Sequence, residues 1–249
     1  MSWRPTDCHA HTIFSDGALT IEQVVERAAS LNVMPSVADH ISRDVARAVD
    51  SVEAVREYIE ALESYDVLRG GEFCWHDSLW RELPDDLVAR FTHRLGSLHA
   101  VRLPSGDLVH AFSRRQPAIS VDDYMWAHLD SLETLAREMP VDILAHPTLV
   151  TLPFRDRPID ELWTEEREER IVDALFAAGI AFEISNRYPP HERLVKRAID
   201  RGVRISLGSD GHTLEQVADL AAPLAMARRL GLRAEDIYDP RRHGSKTTV

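Results

Sequence analysis

The feature that most constrains this 249-residue chain is an alternation of short apolar runs with longer stretches whose apolar residues recur every three and four positions. The first pattern predicts strands and the second amphipathic helices, so the repeat reads as βα units laid around a parallel sheet. Strands are expected at 4–9, 33–38, 66–71, 94–98, 141–145, 180–185 and 203–208. Helices are expected from Thr20, where Thr20 and Gln23 form a capping box, and over 43–63, 85–91, 165–178, 190–201 and 214–230, with a further one starting at Ser120. Seven such units fit a single barrel-like α/β domain over 1–238; an open doubly wound sheet is the competing architecture. No Pro/Gly/Ser-rich linker divides the chain, and 239–249 reads as an exposed basic tail without fixed structure.

Composition narrows the function. With 44% hydrophobic and 28% charged residues the chain can bury a sizeable core, which excludes global disorder. A formal charge of −12 argues against a protein that grips long nucleic acid, yet leaves room for a small anionic substrate held through metal ions. Cys8 and Cys74 form no CxxC motif, which points away from a disulfide framework or thiolate zinc site and toward a reducing compartment. No apolar run reaches the ~18–20 residues of a membrane span and the start lacks a signal-peptide apolar region, so a soluble cytoplasmic protein is expected.

The twelve histidines sharpen this. Side chains alternate along a strand, so His9 and His11 leave the end of the first one on the same side. The following strands end in Asp39-His40, Gly71-Glu72, Ser97-Leu98-His99, His146-Pro147 and Asp210-Gly211-His212. In a parallel barrel these ends share one face, where active sites are built. Six histidines, Glu72, Asp210 and Asp16 of the first loop therefore converge, whereas His76, His93, His110, His128, His191 and His243 read as incidental. Imidazoles and carboxylates without thiolates suit Zn²⁺, Mn²⁺ or Fe²⁺, and this many candidates imply two or three ions, with Glu72 suited to bridge two of them. A water bridging two such cations loses its proton near neutral pH while the ions polarise a phosphoryl oxygen, which is what phosphate ester hydrolysis needs. No GxSxG nucleophile is present, and Cys8 faces away from its two neighbouring histidines.

The set His9-x-His11-Thr12-x-x-Ser15-Asp16-Gly17, Asp39-His40, Gly71-Glu72, Gly96-Ser97-x-His99, His146-Pro147 and Gly208-Ser209-Asp210-Gly211-His212 resembles the polymerase and histidinol phosphatase (PHP) superfamily. The resemblance implies a distorted seven-stranded βα barrel and a centre of two or three metals. It implies a first metal on His9, His11, Glu72 and Asp210, a second on Glu72, His99 and His146, and a third on Asp16, His40 and His212. Phe73 departs from the acidic or polar residue many members carry there. The activity it implies is hydrolysis of a small phosphate monoester, such as histidinol phosphate or a nucleoside monophosphate. Other readings are a phosphodiesterase or exonuclease on dinucleotides or short oligonucleotides, an amidohydrolase-type C–N hydrolase, whose barrels also open with HxH, and a non-catalytic module.

For substrate recognition, Arg187 and Asn186 emerge after the sixth strand and Arg43 follows His40; an Arg fork pairs well with phosphate oxygens. Arg155 is a further candidate. The 100–119 insert, with Arg102, Arg114 and Arg115, reads as a lid or a solvated loop, and Trp75, His76 and Trp80 as an apolar wall or core packing. Asp7 and Asp39 are expected to orient ligand imidazoles, Cys74 to be buried, and the acidic run at 165–169 to be a solvated helix start.

Overall fold

The computed structural model describes residues 3–246. Its strands are β1 (Ser36–Val37), β2 (His40–Ile41), β3 (Leu68–Arg69), β4 (Glu72–Cys74), β5 (Leu95–Ser97), β6 (Ala100–Arg102), β7 (Leu108–His110), β8 (Ile143–Leu144), β9 (Ala181–Ser185) and β10 (Ile205–Gly208). Six form one parallel sheet in the order β10-β9-β8-β5-β4-β2, and β1 pairs in parallel with β3. The expected strand at 4–9 is not a regular one. Isolated bridges join Thr6 to Met34 and Ala10 to Gly211; the Cys8 amide donates to the Leu207 carbonyl at 2.9 Å, and the Ala38 amide to that of Ala10 at 2.8 Å. This segment therefore bonds to both the β10 side and the β1 side. Its ladder stays short because the Asp7 carboxylate takes the Ser209 and Ala218 amides for itself.

The third expected strand appears as β3 and β4 on either side of Gly70-Gly71. A Cβ on Gly70 would lie 2.6 Å from His93 Nε2 and 2.8 Å from the Val37 carbonyl oxygen, so only glycine permits the approach.

Helix Ile21–Ser30 starts under the expected capping box, Thr20 and Gln23 exchanging side-chain and backbone bonds. The expected helix at 43–63 is corrected to Val52–Glu63: Ser51 caps the Ala54 amide, Arg47 has a left-handed φ of 62°, and Val49 bridges to Ile41. The 43–50 segment is thereby free to lie over the strand ends as a loop. Similarly, 214–230 shortens to Ala221–Arg229, since Ala218 has a left-handed φ of 61°. The expected 85–91 helix shortens to Asp85–Val88, with a separate turn of helix at Leu79–Glu82 before it, and 190–201 shortens to Glu192–Arg201. Helix Val121–Glu138 follows the Ser120 cap, and Glu165–Ala178 runs from a Thr164 cap to left-handed Gly179.

Leu62, Leu135, Ile171, Leu175, Phe182 and Leu194 are among the fully buried residues joining sheet to helices. Each contributes about 1.5–3 kcal/mol relative to exposure. Glu168 corrects the reading of 165–169 as wholly solvated: it is buried, paired with His191 at 2.7 Å, Arg193 at 2.9 Å and Arg197 at 3.2 Å. The insert is a hairpin, β6 antiparallel to β7. The tail is also corrected over 239–246. Asp239 caps a short helix, Pro240–His243, and the Ser245 hydroxyl and Lys246 amide donate to the Asp142 carboxylate at 2.8 and 2.7 Å. A largely buried carboxylate needs such donors, and the tail supplies them. Residues 247–249 of the expected tail lie outside the described ones.

Candidate metal centre

Pairing of β2 with β4 sets His40 directly opposite Glu72, and the rest of the cluster assembles around that carboxylate. Glu72 Oε2 lies 2.6 Å from His40 Nδ1, 3.4 Å from His9 Nε2 and 3.8 Å from His11 Nε2. Its other oxygen faces His146 Nε2 at 2.9 Å and His99 Nε2 at 3.3 Å. Asp210 Oδ1 is 3.3 Å from His11 Nε2 and 3.9 Å from His9 Nε2. Asp16 Oδ1 is 3.1 Å from His212 Nε2 and 3.5 Å from His40 Nε2. All nine residues singled out in the sequence therefore meet. Seven of them fall into the metal-sized groups His11/Asp16/His40/His212, His9/His11/Glu72 and His40/Glu72/His99, with His146 beside Glu72 and Asp210 beside His11.

The donors fit cations better than they fit one another. His9 Nε2, His11 Nε2, His40 Nδ1 and Glu72 Oε2 are buried yet make no hydrogen bond of acceptable geometry. Buried polar atoms are rarely left so, and four converging on one point describe a ligand shell.

The electrostatics agree. Burial alone would raise the Glu72 carboxyl, but the surrounding imidazoles of His40, His99 and His9 hold it well below its ordinary value. Asp210 and Asp16 are likewise held ionised by histidines against their burial. Burial pulls His11 down to about 3, leaving it neutral. His9 is pulled down by burial too, but Glu183, Glu72 and Asp210 outweigh it and lift the ring well above its usual value.

Glu183, which the sequence reading passed over, is the main support. Wholly buried in β9, it bonds His9 Nδ1 at 2.8 Å through one oxygen and accepts the His146 amide at 2.6 Å through the other. The first bond makes Nδ1 the donor in neutral His9 and leaves Nε2 bare toward Glu72 and Asp210. A charge flanked by Phe182 and Ile184 inside a strand was the signal available. Gly208 on the neighbouring strand leaves room for it: a Cβ there would fall 2.1 Å from Glu183 Oε1 and 2.8 Å from His9 Cβ. His146 and Asp210 have left-handed φ values of 30° and 51°, strain of the kind that collects at functional sites.

Cys74 is buried as expected but not idle, its sulfur lying 3.0 Å from His99 Nδ1. Cys8 is buried and free. Asp7 and Asp39 do not touch the imidazoles they were expected to orient. They hold backbone and hydroxyls instead, Asp7 the Ser209 amide and hydroxyl beside Asp210, Asp39 the Thr12 amide and the Thr12 and Ser15 hydroxyls beside Asp16. Short polar loops offer donors closer than any ring nitrogen.

Above the cluster opens a cavity of about 390 Å³, within the range of small-molecule sites. Arg187 lines it, Nη1 2.8 Å from His212 Nδ1. Arg43 and Asn186 are corrections. Arg43 turns outward into a two-pronged pair with Glu82 at 2.5 and 2.8 Å, and the Asn186 amide faces Asp219 at 3.4 Å. Arg155 donates to the Val150 and Ala111 carbonyls and stacks over Phe112 and Tyr188, which do line the cavity. Trp75 and Trp80 stack on each other under Arg81, while His76 and His110, taken as incidental, stand on the cavity wall.

The parallel α/β scaffold that carries this cluster recurs among solved structures. The chain shares the fold of histidinol phosphate phosphatase from Lactococcus lactis, determined with zinc, L-histidinol and phosphate. The TM-score is 0.73 at 16% identity, covering 92% of this chain and 95% of that one. A candidate histidinol phosphatase from Listeria monocytogenes gives 0.72 at 16% identity, over 86% and 97%. In sequence the chain is 23% identical over 248 residues to the DNA polymerase/3'-5' exonuclease PolX of Bacillus subtilis; the match takes in 94% of this chain but spans only 39% of the relative's length. No protein-family model matches the chain.

Proposed function

We propose that this protein is a metal-dependent phosphatase that cleaves a small phosphate monoester, of the histidinol phosphate or nucleotide kind, on two or three zinc, manganese or iron ions. The observation that carries the reading is the set of unpaired buried donors, His9 Nε2, His11 Nε2, His40 Nδ1 and Glu72 Oε2, packed behind the His40, His99, His146 and Asp210 side chains of a cavity that Arg187 also lines. His9, His11, Glu72 and Asp210 would hold one ion, Glu72, His99 and His146 a second, and Asp16, His40 and His212 a third. Such ions supply a water of lowered pKa and neutralise phosphoryl charge.

The remaining work falls to side chains. Glu72 suits a bridging role because its two oxygens face different imidazole sets. Glu183 holds His9 in the tautomer that presents Nε2. Arg187 gives a fixed cation for the phosphate oxygens as the ester enters. The Phe112 and Tyr188 rings, braced by Arg155, give the leaving group an apolar wall. We take the strands to close through the 4–10 segment into a distorted seven-stranded barrel, one domain to which the 239–246 stretch belongs through its bonds to Asp142. Two buried free cysteines suit a reducing compartment, which we take to be the cytoplasm, and no described helix is long and apolar enough to cross a membrane.

The likeness to the exonuclease-bearing polymerase favours a second reading, phosphodiester cleavage at the end of a short oligonucleotide. A cavity of about 390 Å³ on a chain of charge −12 suits the small ester better. The test is phosphate release from a panel of monoesters against bis(aryl) phosphodiesters and short oligonucleotides. Monoester turnover that requires added metal is expected. Cleavage confined to diesters would transfer the site to the second reading, and inertness toward both classes would overturn the proposal.

A further inference from the structure

Outside the nine residues of the centre, the described residues bring one more set of imidazoles and a carboxylate within ligand distance: Asp44, His76 and His110. They arrive from three separate elements, the loop after β2, the turn after β4 and the end of β7, and all three line the cavity. Asp44 Oδ2 lies 2.6 Å from His76 Nε2 and 3.5 Å from His110 Nδ1. The two rings meet edge to face with centroids 5.8 Å apart.

An ordinary ion pair accounts for this poorly. One carboxylate oxygen serves two ring nitrogens from different segments, whereas a surface pair needs only one. The His76 side chain is 3% exposed, so the nitrogen that faces Asp44 belongs to a desolvated ring. Burial holds the ring below its ordinary pKa, in the neutral form that metals bind. The same pattern, a ring nitrogen 2.6 Å from a carboxylate oxygen with further ring nitrogens just beyond, recurs at the buried Glu72.

We propose that Asp44, His76 and His110 form an additional divalent-cation site on the cavity wall, separate from the centre beneath it. Two imidazole nitrogens and one carboxylate oxygen suit Zn²⁺ or a similar borderline ion, and three protein ligands leave a coordination position for water or a substrate oxygen. Asp44 and His110 are over two-fifths exposed, so this ion exchanges with solvent and its occupancy follows the free metal concentration. An ion there adds positive charge to a cavity that already carries Arg187, on the wall a leaving group would pass.

The experiment is a calorimetric titration of Zn²⁺ into zinc-loaded, desalted protein without substrate, with retained ions counted by elemental mass spectrometry. The wild type is expected to bind one zinc beyond those retained. His110→Gln and Asp44→Asn are each expected to lose that event with the retained count unchanged. His110 sits half-exposed on a hairpin, so its replacement leaves the core intact. Absence of the event in the wild type, its persistence in either variant, or loss of retained ions along with it would overturn a separate site. Because no ester is present, the result is independent of whether the chain proves to be a phosphatase.

Discussion

The buried histidines fall into two kinds. Those of the centre are packed against carboxylates, His9 touching Glu183, Glu72 and Asp210, and His40 touching Glu72 and Asp16. His93 and His128 are as deeply buried but have no carboxylate partner: His93 faces the Ser36 hydroxyl and the Cys8 carbonyl, and His128 sits between the rings of Tyr124 and Trp163. Burial, the largest cause in each, pulls both down to about 4. Burial therefore does not mark a functional histidine. What separates the two kinds is the charge that surrounds the ring, which turns a desolvated base into a poised ligand in one case and a neutral core residue in the other.

The comparison breaks first at the carboxylates. Asp210→Asn keeps the shape but removes the charge facing His9 and His11, and it is expected to abolish turnover through loss of metal. Full activity with an unchanged ion count would show that the carboxylates do not distinguish the centre. Glu183→Gln tests the support one step further out. Its amide nitrogen must oppose either the His9 ring N–H or the His146 amide, so metal affinity should fall about 10–100-fold, as for other partners of ligating histidines. Competition with a chelating dye measures it, and wild-type affinity would reduce Glu183 to packing.

Smaller effects follow away from the buried cluster. Arg187→Ala should raise KM about tenfold for phosphate monoesters with a lesser change in kcat, the expectation for one charge-assisted bond made to the bound ester. An unchanged KM removes Arg187 from the site. For the other kind of histidine the linkage sign is fixed. Burial brings the folded pKa of His128 down to about 4, below the ordinary 6.5 of an imidazole, so the folded state binds fewer protons. Its penalty is absent above pH 6.5 and grows as pH falls toward 4, reaching about 3 kcal/mol. His128→Leu should therefore lose less thermal stability than the wild type between pH 7 and pH 5, a difference of several degrees in Tm. Parallel losses in the two proteins would mean that this ring is not a buried neutral base.

The centre was legible because its ligands sit at local, countable positions: His99, His146 and Asp210 lie two residues past β5, β8 and β10, His40 and Glu72 open β2 and β4, and His9 and His11 are two apart in the bridged first segment. The βα alternation was readable for the same local reason. What stayed hidden depends on partners far along the chain. Glu183 meets His9 across 174 residues, Arg43 is captured by Glu82 across 39, and Asp44 meets His76 only because 43–50 is a loop where helical spacing was expected. The tail was misread similarly, its donors claimed by Asp142 across more than a hundred residues.

The crowding at Gly208 has a consequence for how this chain tolerates change. Its surface arginines and glutamates can drift with little cost, and core leucines can be exchanged for residues of like volume. At Gly208 the smallest possible side chain, one methyl group, meets both Glu183 and His9. The least conspicuous residue of the strand is thus where a one-carbon error reaches the buried cluster most directly.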